Sequence, residues 1–139
     1  MEDLKLNSFA AAVHENAVAH GWWEEERGLP EVLMLCVSEL AEALEEYRAG
    51  KPDLYCGRET ACGGKQSEKS GWACDRCKIA SEEQLCAEAK PEGVAVELAD
   101  CVIRILDYCG HAGIDIEEAI RIKHEYNKTR PYRHGGKKC

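Results

Sequence analysis

Two short acidic motifs, Glu39-Leu40-Ala41-Glu42 and Glu97-Leu98-Ala99-Asp100, hold the side chains best suited to chemistry. In each motif two carboxylates stand three residues apart. That spacing puts both on one face of a helix, where like charges repel by roughly 0.2–0.5 kcal/mol unless something compensates. A divalent cation is the natural compensator. Antiparallel packing of the two helices would bring Glu39, Glu42, Glu97 and Asp100 together as an all-oxygen site suited to Mg²⁺ or Mn²⁺. Val37, Leu40, Leu98 and Cys101 flank the acids and place them at the edge of a core. The plainer alternative is a pair of solvated acidic faces, and it is the repetition of the motif that favours a metal. A di-iron site would require Glu-x-x-His on two helices, and none of the five histidines follows a glutamate at that distance.

Nine cysteines are the second source of chemistry. The N-terminus, Met1-Glu2-Asp3, is acidic where a secretory leader would be basic, so a cytoplasmic location and reduced thiols are expected. Cys56, Cys62, Cys74 and Cys77 lie in a segment rich in Gly, Cys, Lys and Glu, and the closer pair has the spacing of a tetrahedral zinc site. A structural Zn²⁺ on these four, with Cys86 as a substitute ligand, competes with a flexible reduced loop. Cys36, Cys101 and Cys109 fall within apolar helical patterns and are expected as small buried hydrophobes.

Lys123, Asn127 and Arg130 are spaced by four and three residues, so they share a helix face able to clamp phosphates; the rival reading is a basic last turn favoured by the helix dipole. His14, Trp22 and Trp23 are candidates for contact with a base, because adjacent aromatics offer a flat apolar surface, although core packing explains a tryptophan equally well. Arg104, one turn beyond Asp100, is placed to pair with Asp100 or with Asp107.

These side chains need helices to position them. Apolar residues recur every three or four positions in four stretches, and no stretch alternates as a half-buried strand would, so an all-α fold is expected. The first helix runs from about Leu4 to His20 and ends at Gly21; the second runs from about Pro30 to Tyr47, before Gly50 and Pro52. The third spans about Pro91 to His111, with Val94, Leu98, Val102, Ile105 and Cys109 on one side. After Gly113, Asp115 can cap a fourth that continues to about Thr129. Lys51 to Lys90 lacks an apolar stripe, and a loop that long within a compact domain is functional, metal-clipped or disordered.

At 139 residues the chain fits a single domain, 1–139, with 51–90 as a Cys-rich insert. A net charge of −8 argues against nucleic-acid backbones as partners, and no apolar run is long enough for a bilayer. It does not exclude a nucleotide held through cations. The second helix is apolar nearly all round in its first half, and Val32, Leu33, Leu35 and Ile103 exceed what one thin bundle can cover, so a homodimer or a dimer of dimers is expected.

Glu-x-x-Glu followed by Glu-x-x-Asp on consecutive helices resembles the signature of the MazG-like all-α nucleotide pyrophosphohydrolases. Gly21-Trp22-Trp23, Ser38-Glu39-Leu40-Ala41-Glu42-Ala43-Leu44, Gly113-Ile114-Asp115 and the run from Lys123 to Gly135 are similar in order and place. The resemblance implies a four-helix bundle that hydrolyses a nucleoside or deoxynucleoside triphosphate to the monophosphate and pyrophosphate, in nucleotide-pool housekeeping. Water would attack the α-phosphorus, aided by divalent cations on the four acids. Glu46, seven residues after Glu39, would orient or deprotonate that water, Lys123 would serve in catalysis, and Lys123, Asn127 and Arg130 would reach the phosphates. Two departures stand out: Ser38 replaces an acid of the commoner motif, and nothing in the resemblance explains Lys51 to Lys90. The alternatives are a phosphoribosyl-ATP pyrophosphohydrolase and a non-catalytic, dimeric zinc-binding interaction module.

Overall fold

In a computed structural model, residues 5–56 and 90–132 are described, and they form four helices with one short ribbon: α1 Leu6–Ala19, α2 Leu29–Arg48, α3 Val94–Ala112 and α4 Ile116–Lys128. The all-α class expected from periodicity is what is found. No helix among the described residues is long and apolar enough to cross a membrane. Cys62, Cys74, Cys77 and Cys86, and the side chain of Cys56, lie outside the described residues.

Gly21, Gly50 and Gly113, each at positive φ, follow the ends of α1, α2 and α3 as anticipated. Asp115 caps α4 by accepting from the Glu118 N–H at 3.0 Å. The start of α3 differs from expectation. Pro91-Glu92 forms β2 and pairs antiparallel with β1, Tyr55-Cys56, so the helix begins three residues late. Gly93 enforces the change: its φ is +113°, and a Cβ there would lie 2.5 Å from the Asp53 carbonyl oxygen. That same carbonyl accepts the Ala95 N–H at 2.8 Å, which ties the segment after α2 to the first turn of α3.

The chain forms two compact units, 1–27 with 105–139, and 28–104, so α3 belongs to the second through Arg104 and to the first from Ile105 onward. In the first unit Ala10, Leu106 and Cys109 are buried together with Ile116 against them. Gly110 lets α1 approach closely, since a Cβ at that position would meet the Ala10 carbonyl oxygen at 2.7 Å. Asn7 then joins α1 to α4, its amide oxygen accepting the Ile116 N–H and its Nδ2 donating to Asp115.

In the second unit α2 buries Val32, Cys36, Glu39 and Ala43, a stripe of spacing four, three, four. Cys36 donates its thiol toward the Cys101 carbonyl oxygen at 3.9 Å, which places the first part of α3 against this stripe. Burial raises the pKa of the Cys36 and Cys109 thiols above the ordinary value, as befits cysteines used as small core residues. The stripe expected to pack α3 lies largely in the open: Leu98, Val102 and Ile105 are exposed, while Cys101, Leu106 and Cys109 are buried. The helix is apolar on two faces, and one of them is exposed in the described residues.

Candidate metal centre

Glu39, Glu97 and Asp100 come together in the second unit. One carboxylate oxygen from each lies within 4.8 Å of the others, drawn from the middle of α2 and the first two turns of α3. Glu39 is the buried charged residue of the described chain, 6% exposed, because it occupies a core position of the α2 stripe. Glu97 and Asp100 are half-buried at the rim. The donor set is all oxygen and all anionic, which fits a hard divalent cation and not a soft one.

Electrostatics show the cost of the arrangement. Burial, then the neighbouring Glu42, Asp100 and Glu39, push the Glu97 carboxyl above the ordinary glutamate range. Asp100 is also pushed up, first by burial and then by Glu39, with Arg104 and Lys90 opposing. Glu42, the fourth expected ligand, lies outside the close group; it is exposed, accepts a hydrogen bond from Ser38 Oγ at 3.3 Å and is felt by Glu97 and Asp100 as a repelling charge. Arg104 pairs with neither Asp100 nor Asp107. It crosses to α2, where Nε and Nη2 each lie 2.6 Å from Glu39 Oε1.

Glu46 continues the α2 stripe one turn past Ala43 and meets a second set of partners. The Tyr55 hydroxyl donates to Glu46 Oε2 at 2.6 Å, and Lys51 Nζ donates to Oε1 at 3.2 Å and to the Tyr55 oxygen at 2.8 Å. The Tyr55 bond, more than the Lys51 charge, holds the Glu46 carboxyl below its ordinary range. Both its oxygens are therefore taken by groups that anchor β1 to α2. Nothing in the sequence pattern announced Tyr55, whose buried ring closes this end of the stripe.

In the first unit the aromatic candidates gather around Asp107. His14 Nδ1 lies 2.8 Å from Asp107 Oδ1, and Trp23 Nε1–H donates to both Asp107 oxygens at 3.0 and 3.1 Å. Trp23 is stacked on His111 at 3.9 Å between ring centroids. Trp22 is 53% exposed, with the Arg27 guanidinium 5.4 Å from its ring centre. Asp107 and His111, one turn apart on α3, are the members that sequence reasoning did not assemble; their i, i+4 spacing was the available signal. Lys123 and Asn127 line a shallow depression on α4 with Ala119, Ile120 and His124, while Lys123 and Arg130 flank the Tyr126 ring at 4.9 and 6.0 Å.

In comparisons with protein-family models, curated proteins and solved structures, nothing matches the chain.

The acidic cluster makes a prediction about stability without metal. Glu97 and Asp100 are raised in the fold, so their contribution is most favourable when both are protonated and is lost as pH rises through their folded values. In EDTA at neutral pH, Asp100→Asn is expected to be more stable than the native chain, by at least the roughly 0.2–0.5 kcal/mol of one like-charge pair. The gain should vanish as pH falls below the ordinary aspartate range. Chemical denaturation at several pH values measures it, and a less stable Asp100→Asn in EDTA would contradict the electrostatic picture.

Proposed function

We propose that this chain is a divalent-cation-dependent nucleotide pyrophosphohydrolase of the MazG-like kind, built as an all-α bundle with a Cys-rich insert between α2 and α3. The observation that carries the reading is the convergence of Glu39, Glu97 and Asp100 from two helices, one of them buried. Carboxylates this close in a half-dry site repel one another, and a divalent cation would offset the negative charge that Arg104 leaves over. Mg²⁺ or Mn²⁺ held by these three, with Glu42 at the margin, would neutralise phosphate charge and lower the pKa of the attacking water.

The chain's own residues then have distinct tasks. Glu39 is the fixed ligand, because its backbone and side chain are locked in the core, whereas Glu97 and Asp100 at the rim can adjust to an incoming phosphate. Glu46 enters as a positioning residue, holding β1 and thereby the root of the insert against the helix that carries Glu39. Lys123, Asn127 and Arg130 as phosphate contacts rest on their helical spacing and on the resemblance, and Trp22 with His14 and Trp23 as contacts for the base rest on the flat surface that adjacent aromatics offer. A structural Zn²⁺ on Cys56, Cys62, Cys74 and Cys77 rests on cysteine spacing alone, and a cytoplasmic location on the acidic Met1-Glu2-Asp3.

The proposal includes self-association. Leu33, Val37, Leu40, Leu44 and Tyr47 recur on α2 at spacings of four, three, four and three, and all are exposed, from 46% at Leu44 to 73% at Tyr47. That is the pattern of a helix seam awaiting a partner helix. Val32 and Leu35, expected in this surface, are instead buried and half-buried by the chain itself. The same stripe supports the second reading, a dimeric module without catalysis, and turnover separates the two.

Pyrophosphate and a nucleoside monophosphate are the expected products from a triphosphate in Mg²⁺ or Mn²⁺, followed by phosphorus NMR. Asp100→Asn and Glu97→Gln should each lower kcat by about 10²–10³-fold, the effect of several kcal/mol of lost charge stabilisation. Orthophosphate as the first product, or near-native turnover in either variant, would refute the assignment. For assembly, light scattering should report a dimer or larger for the native chain and a smaller species for Leu40→Glu; a native monomer at micromolar concentration would rule out the seam.

A further inference from the structure

The pairing of Arg104 with Glu39 has a consequence for the metal site that the proposed activity does not require. Glu39 is buried, and its Oε1 receives both Nε and Nη2 of Arg104 at 2.6 Å. Both contacts fall on one oxygen, the Nε–H as a hydrogen bond and Nη2 as an ion-pair contact, unlike the fork that spreads over two. Carboxylate oxygens of Glu97 and Asp100 also lie within 4.8 Å of one on Glu39. Glu39 thus stands between one guanidinium and two carboxylates. The three acids carry more negative charge than Arg104 can offset, yet the guanidinium already provides what a bound cation would provide to Glu39.

We propose that Arg104 is the resident counterion of the acidic cluster: it holds Glu39 in the core while no divalent cation is bound, and it competes with the cation for that carboxylate when one binds. This inference rests on the metal-site reading above. A second positive charge beside a divalent cation repels it, and a ligand oxygen that accepts a short charge-assisted hydrogen bond with a second guanidinium nitrogen close by is a poorer donor to a metal. Arg104 therefore weakens cation affinity and sets the concentration at which the site fills. In exchange it keeps the cation-free protein folded, because a buried carboxylate stripped of its partner is strongly destabilising. Arg104 is a positioning residue in this account, acting through Glu39.

The test compares the native chain, Arg104→Gln and Arg104→Lys for Mn²⁺ binding by titration calorimetry and for Tm in EDTA and in saturating Mn²⁺. Arg104→Gln should bind Mn²⁺ about tenfold more tightly, which is about 1.4 kcal/mol. Its Tm should fall in EDTA and recover in Mn²⁺, with a larger metal-induced rise than the native chain shows. Arg104→Lys, which keeps the charge, should bind close to the native value. Equal or weaker Mn²⁺ binding by a folded Arg104→Gln overturns the inference. If Arg104→Gln is unfolded in EDTA, recovery of the native circular dichroism spectrum on adding Mn²⁺ supports it, and failure to fold in Mn²⁺ overturns it. Absence of Mn²⁺ binding by the native chain at millimolar concentration would instead defeat the metal-site reading itself, so the two failures are distinct.

Discussion

A carboxylate buried to the depth of Glu39 must have positive charge beside it, and that requirement organises the second unit. Glu39 occupies a core position on α2, in line with Val32, Cys36 and Ala43, so it cannot turn to water without dismantling the stripe. Its partner comes from α3, which fixes the rotation of that helix about its own axis. Once Arg104 points at Glu39, Asp100 and Glu97, one and two turns earlier, are carried to the same place. The acidic cluster is thus a by-product of satisfying one buried charge, and its surplus negative charge is what would favour a cation there.

The other end of the α2 stripe repeats the logic with weaker components. Glu46 sits seven residues after Glu39 and is offset by Lys51 and the Tyr55 hydroxyl. Tyr55 belongs to β1, whose partner β2 leads through Gly93 into α3. The cluster is accordingly held at two levels: Arg104 sets the rotation of α3, and the ribbon with Gly93 sets where α3 begins. Glu97 stands four residues past that glycine, so the start of the helix determines which turn presents it.

Much of this was legible in the sequence because it is local. Helix ends at Gly21, Gly50 and Gly113, the Asp115 cap and the i, i+3 acids are written in spacings within one element, and the structure agrees to within a few residues. What was not legible depends on which face of one helix meets another. Arg104 has Asp100 and Asp107 one turn and three residues away on its own helix, yet it reaches across to Glu39, because that is the carboxylate with no water to fall back on. The stripe from Val94 to Cys109 looked like the core face of α3, and most of it is exposed, since apolar spacing cannot say which of two apolar faces a chain covers by itself. The ribbon was missed because two residues per strand leave no periodic signal and Pro91 is equally suited to the first turn of a helix.

Glu39, Glu97 and Asp100 are proposed to form one cation site from two helices. Crystals grown with Mn²⁺ and measured for anomalous scattering test it most directly. The account predicts a peak bonded to oxygens of all three residues, with the Arg104 guanidinium withdrawn from Glu39 Oε1 or sharing it. Well-ordered carboxylates with no peak among them, and Arg104 still paired with Glu39 at saturating Mn²⁺, would contradict it.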